Sequence, residues 1–167
     1  MNAKKRKERF ETTYEVLTDI DQLLPEDREL LQRAGNALGL AYAPYSGFSV
    51  SAAIRLADGQ ILTGTNQENA AYGLCICAEQ NVLSTAGSSH KDHSVVAMAI
   101  TARSSVKKID HPISPCGACR QSISEHEDRH DRPIRLILRG EEGEIYLFQS
   151  IKDLLPLSFS GKDLKQL

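Results

Sequence analysis

The stretch F-S-V-S-A-A-I-R-L-A-D-G-Q-I-L-T-G-T at residues 48–65 decides the fold. Phe48, Val50, Ala52, Ile54 and Leu56 fall on alternate positions, the period of a strand that buries one face. Asp58-Gly59 then supplies a hairpin turn, because glycine accepts a positive φ at no steric cost, and residues 61–65 return as a second strand. Upstream, Pro25-Glu26-Asp27 opens a helix: proline loses no needed donor there, and the acids face the positive end of the helix dipole. Leu30, Leu31, Ala34, Leu38 and Ala41 give that helix one apolar stripe to about residue 41, and Pro44 stops it. Downstream the pattern predicts a helix over 78–86 closed by Gly87, a buried strand over 95–101 and a short helix over 117–127. Strands follow over 134–138 and 144–148 around a Glu-Glu-Gly turn, and a terminal helix over 152–155 is interrupted by Pro156. Strands alternating with helices imply an α/β protein, a three-layer α/β/α sandwich. The opening hairpin makes its five-stranded central sheet mixed.

A chain of 167 residues fits one compact domain, read here as residues 25–167 preceded by an extension over 1–24. In that extension Phe10, Tyr14, Leu17, Ile20 and Leu24 recur at helix-like spacing and predict an added helix. The cationic run K-K-R-K-E-R at 4–9 reads as a solvated terminus. No apolar run approaches the ~18 residues of a membrane span, and no apolar segment of a secretory signal follows the basic start, so a cytoplasmic protein is expected. A net charge of -2 argues against general binding of nucleic acid. The histidines at 90, 126 and 130 lie in polar stretches expected to be exposed.

Four cysteines fall in two clusters, Cys75 with Cys77 and Cys116 with Cys119. In a reducing compartment, clustered thiols point to a metal before they point to disulfides. Cys116 and Cys119 sit at i and i+3 at a helix start, so both thiols reach one ion, and the helix N-terminus favours the thiolate. Cys77-Ala78-Glu79 opens another helix 39 residues earlier. Two readings stand side by side. A structural site would take Cys75 as a fourth ligand and leave Glu79 an exposed helical acid. A catalytic site would use three thiols, keep one coordination position open, and set Glu79 beside it. Cys75 and Cys77 flank Ile76 and could share an ion only with an awkward backbone.

The motifs A-Y-A-P-Y-S-G-F at 41–48, N-Q-E-N-A at 66–70, C-I-C-A-E at 75–79, S-P-C-G-A-C-R-Q at 114–121 and L-L-P-L-S-F at 154–159 occur in this order. Together they resemble the cytidine deaminase family, small homotetrameric zinc enzymes of pyrimidine salvage. The resemblance spans about residues 41–164. It implies a cytidine deaminase-like fold and hydrolytic deamination of cytidine and 2′-deoxycytidine to uridine and 2′-deoxyuridine with release of ammonia. It implies one Zn2+ per subunit on Cys77, Cys116 and Cys119, with Glu79 as the proton shuttle. Nucleobase deaminases pair such a zinc site with a glutamate that is not a ligand. By the same resemblance Asn66 and Glu68 hold the ribose hydroxyls, and Phe48 and Ala78 line the nucleoside pocket. The resemblance also implies that Phe159 packs on the base bound by a neighbouring subunit, with active sites shared within a homotetramer.

One position departs from the family pattern. Three thiolates and one Zn2+ sum to -1. Members with three cysteines usually carry an arginine after the catalytic glutamate, where this chain has Gln80. Helix N-termini and Arg120 are the remaining sources of positive charge, and Arg120 is expected to matter more for that reason. Two other functions fit parts of the pattern. A blasticidin S-type aminonucleoside deaminase shares C-A-E and P-C-x-x-C, though the N-x-E-N segment at 66–69 argues against it. A non-catalytic module would use all four cysteines to hold a structural zinc.

Overall fold

The computed structural model describes residues 5–164, which leaves Lys4 of the cationic run outside the described residues. Six strands form one sheet: β1 (Glu15–Leu17), β2 (Phe48–Leu56), β3 (Ile61–Thr65), β4 (Val95–Ser104), β5 (Arg135–Arg139) and β6 (Ile145–Phe148). Their order is β1-β6-β5-β4-β2-β3. All neighbours pair antiparallel except β4 and β5, which run parallel. A parallel pair needs a crossover, and α3 (Gly117–His130) supplies it. Among the described residues the other α-helices are α1 (Pro25–Ala37) and α2 (Ala78–Ser89). None of the described helices is long and apolar enough to cross a membrane.

The three layers follow from strand parity. Met98 and Ile100 of β4 join Ile54, Leu136 and Leu138 beneath Val82 and Leu83 of α2 and Ile123 of α3. Ala97 and Ala99, one residue out of phase, join Ala53 and Ile137 beneath Leu30, Leu31 and Ala34 of α1. Each face therefore has its own core, and the central strands are apolar on both sides, as a sheet covered by helices requires. Glycine at 64 lets α2 settle on β3. A Cβ at that position would lie 2.7 Å from the Val82 nitrogen and 2.9 Å from the Ala78 carbonyl oxygen. Buried Glu127 fastens the end of α3: it accepts from the Ile134 and Ile151 N–H groups at 2.8 and 3.0 Å and from the Ser150 hydroxyl at 2.8 Å.

Several boundaries differ from the expectation. The N-terminal extension forms no long helix. Residues 15–17 add a sixth strand against β6, with Val16 opposite Tyr146, and a single 3-10 turn follows at Ile20–Gln22. Tyr14 stacks on Phe148 and meets Tyr146 at ring centroids 5.0 and 4.9 Å apart, and this aromatic contact holds the segment extended on the sheet edge. The first helix ends at Ala37 and tightens into a 3-10 turn over Leu38–Leu40. Gly87 does not close α2, which runs on to Ser89 because the glycine keeps ordinary helical geometry and the backbone bonds continue to His90. The expected terminal helix is a 3-10 turn over Ile151–Asp153. His90, His126 and His130 are half-buried rather than exposed, and the His126 ring lies near Gly87 of α2.

Candidate functional site

Two helix N-termini meet at the thiols. Cys77 is the N-cap of α2 and Cys116 the N-cap of α3, both with extended backbone, and Cys119 lies one turn into α3, fully buried. The three sulfur atoms lie within 4.8 Å of one another, with Cys77 to Cys116 at 4.0 Å and Cys116 to Cys119 at 3.4 Å. Tetrahedral zinc–thiolate bonds of about 2.3 Å separate two sulfurs by about 3.8 Å, so these side chains fit one zinc ion. Cys75 stands apart. Its exposed sulfur accepts from the Asn69 N–H at 3.3 Å and is no member of the triad, which removes the fourth ligand that a four-cysteine module requires.

The charge on the thiols is arranged in advance. Hydrogen bonding from Cys119 lowers the Cys77 thiol to about 6, while the same bond and burial push Cys119 up. One thiolate is thus favoured at neutral pH, as metal capture requires. Glu79, one helical position beyond Ala78, is 5% exposed, and desolvation raises its carboxyl above the usual range. A carboxyl so placed keeps its proton to higher pH than an exposed one.

A cavity of about 250 Å3 opens over this group, bounded by Glu79, Ala78, Cys77 and Cys116 on one side and by Asn66 and Glu68 on the other. The structure therefore brings together six of the nine residues read from the sequence, with Cys119 directly beneath. Asn66 follows β3 and mimics a strand neighbour of β2: its Oδ1 accepts from the Val50 N–H at 2.8 Å and its Nδ2 donates to the Phe48 carbonyl at 2.9 Å. One amide hydrogen and one lone pair remain free for another partner. Glu68 accepts from the Tyr45 and Ser46 N–H groups at 2.9 and 3.2 Å and from the Ser46 hydroxyl, and these bonds hold its carboxyl below the ordinary range. The motif at 41–48 is thereby explained as the loop that Glu68 clamps, a role that sequence reasoning left open.

Two residues fall outside this cavity. Phe48 is half-buried at the start of β2 and does not line it. Phe159, 60% exposed, lies instead with Gln80, Ile76 and Leu83 on a larger groove of about 900 Å3 between α2 and α3. Arg120 also acts differently from expectation. Its Nε donates to the Pro115 carbonyl at 2.9 Å and its Nη1 to the Leu154 carbonyl at 2.7 Å, so it braces the backbone next to Cys116 against the C-terminal segment.

Comparison with known proteins places these features in context. The model of the cytidine and deoxycytidylate deaminase zinc-binding region matches residues 24–130. A cytidine deaminase of Halalkalibacterium halodurans is 38% identical over 139 residues, covering 83% of this chain and 98% of the relative. A cytidine deaminase of Sporosarcina psychrophila is 36% identical over 147 residues, covering 87% and 95%. The crystal structure of a cytidine deaminase from Burkholderia pseudomallei superposes with a TM-score of 0.67 at 36% identity, covering 78% of this chain and 97% of that one.

Proposed function

The chain belongs to the cytidine and deoxycytidylate deaminase family, and from that premise we propose that it hydrolyses cytidine and 2′-deoxycytidine to the corresponding uridines and ammonia. The observation that carries this reading is the buried Glu79 carboxyl lining one cavity with Cys77 and Cys116, two of three clustered thiols. Cys77, Cys116 and Cys119 would hold a zinc ion, whose Lewis acidity would make water a competent nucleophile near neutral pH. Glu79 takes a proton from the attacking water and delivers it to N3 of the pyrimidine as the water oxygen bonds to C4. The same carboxyl carries the second proton to the amino nitrogen, the C4–N bond breaks, and ammonia leaves. Burial suits Glu79 to both steps, because a carboxyl with a raised pKa is a competent acid as well as a base.

Recognition follows from the other wall. Ala78 opens α2, so its N–H has no acceptor within the helix and is available to a carbonyl of the base. Asn66 and Glu68 keep spare hydrogen-bonding capacity that suits ribose hydroxyls, with Phe48 steadying the strand end behind them. The α2–α3 groove, with exposed Ile76 and Phe159 and with Leu74 and Leu157 also in water, is an apolar face suited to other copies of the chain. In a homotetramer closed over it, Phe159 reaches a neighbour's cavity. The compartment and pathway in this reading are the cytoplasm and pyrimidine salvage.

The test follows the ultraviolet loss of cytidine with purified protein. Glu79→Gln is expected to retain about one zinc per chain while turnover falls at least ~100-fold. Zinc-loaded wild type that leaves both cytidine and 2′-deoxycytidine intact would overturn the assignment. Light scattering of the same sample checks the tetramer.

A further inference from the structure

We propose that a second site, on the sheet face opposite the thiols, binds a phosphate group. A cavity of about 350 Å3 lies between the C-terminal half of α1 and the ends of β4 and β5. Arg103 and Arg139 both line it, with Thr101, Gln32 and Asn36. Strand parity fixes its side: 103 continues the positions of Ala97 and Ala99, and 139 that of Ile137, all of which face α1. The site is therefore separated from Glu79 and the thiols by the full thickness of the sheet.

Among the described residues neither guanidinium group makes an ion pair within 4.0 Å, and no hydrogen bond from either side chain is formed. The Nε of half-buried Arg139 is shielded from solvent and unpaired. Arg28, Arg55 and Arg135 also have unpaired buried Nε atoms, but each of those groups is anchored through a terminal nitrogen: Arg28 to Asp21, Arg55 to Glu29 and Arg135 to Asp27. Arg139 alone of the four has no such anchor among the described residues. A charged group's N–H shielded from water without an acceptor is costly, and the cost is removed when an anion completes it.

The surroundings select the anion. The hydroxyl of Thr101 is spent on the Gly140 carbonyl at 3.0 Å, and one carboxylate oxygen of Glu141, also on the lining, accepts from the Ile109 N–H at 3.1 Å. Two arginines against one glutamate leave a formal excess of one positive charge. Two planar forks and two amides match the several oxygens of a phosphate, which can engage both guanidinium groups at once. The recognised chemistry is a phosphate, either as the free ion or as a nucleoside monophosphate.

The experiment is a 31P NMR titration of the zinc-loaded protein at constant ionic strength, with inorganic phosphate in one arm and adenosine monophosphate in the other. Saturable binding in either arm, with Kd raised at least tenfold in Arg103→Gln and in Arg139→Gln, is expected. Equal affinities in the two arms identify the phosphate alone as the ligand, and tighter monophosphate binding identifies a nucleotide. Arg103 is exposed, so its replacement tests the site even where loss of Arg139 weakens folding. Absence of saturation in both arms, or an affinity unchanged in Arg103→Gln, overturns the proposal.

Discussion

Replacing Gly64 with alanine drives a methyl group into the start of α2. The added carbon would lie 2.7 Å from the Val82 nitrogen, 2.9 Å from the Ala78 carbonyl oxygen and 2.9 Å from the Val82 Cβ. Two of these atoms are helix backbone, so no rotamer change relieves the contact. Comfortable separation of such atoms is about 3.5 Å, so α2 must withdraw by roughly 0.5–1 Å. Overpacking of this kind costs about 1–3 kcal/mol. For a chain of this length that lowers Tm by roughly 2–12 °C. The functional loss follows from the same shift. Cys77 and Glu79 travel with α2 while Cys116 and Cys119 stay on α3, so the thiol triangle opens and the carboxyl moves off the cavity floor. A displacement near 1 Å at reacting groups costs up to ~100-fold, and turnover on cytidine is expected to fall ten- to a hundredfold. Calorimetry and the ultraviolet assay read the two effects on one preparation. The control is Gly39→Ala, which meets no atom within 4 Å and is expected to raise stability by about 0.4–1 kcal/mol. A Tm within about 1 °C of wild type together with unchanged turnover in Gly64→Ala would refute the reasoning.

Three further outcomes are expected. Cys75→Ser leaves the zinc content at about one per chain by atomic absorption, since its sulfur is bonded to Asn69 rather than to the triad; loss of the metal would restore the four-cysteine reading. Arg120→Gln removes the ties to Pro115 and Leu154 and lowers both zinc retention and turnover, the latter roughly tenfold, whereas equal values of both would show that the brace is idle. His126 is held down to about 4, first by burial and then by Arg129 and His130, so between pH 6.5 and 4 the unfolded chain binds more protons than the folded one. Stability therefore falls as pH drops through that window, by about 1–2 kcal/mol once solvent screening at a half-buried ring is allowed for. His126→Gln should flatten the urea-denaturation difference between pH 7 and 5 relative to wild type, and an identical pH dependence would count against it.

What the sequence disclosed depended on the range of each signal. The hairpin over 48–65 and the two thiol-bearing helix starts are local patterns, and the structure places β2, β3, α2 and α3 where they were expected. The edge strand β1 was illegible for a physical reason. Three residues are too few to distinguish a period of 2 from one of 3.6, and what holds them extended is Tyr14 against Tyr146 and Phe148, over 130 residues away. Gly87 misled because glycine marks a helix end only when it turns left-handed, and here it does not. The clamp of Glu68 on Ser46 and the brace of Arg120 on Leu154 join segments about 20 and 34 residues apart, and no periodicity announces such pairs.

Gln80 poses the question of how a site with three thiolates keeps its charge in check. Gln80 itself lies on the α2–α3 groove beside Phe159, and Arg120 spends its guanidinium on two carbonyl groups instead of on sulfur. The compensation available in the fold is the backbone. Cys77 and Cys116 each occupy the N-cap of a helix, of 12 and 14 residues, and neither side chain is used to cap its own helix. The first N–H groups of both helices lack intrahelical partners, and the positive ends of two dipoles, each equivalent to about half an elementary charge, lie beside Cys77 and Cys116. Two such ends together can offset roughly the single excess negative charge of three thiolates and a dication. That balance holds only while the helices converge, which is why Gly64 beneath α2 and Arg120 behind α3 matter to the chemistry as much as to the fold: one lets the first helix approach, and the other fixes the loop from which the second begins.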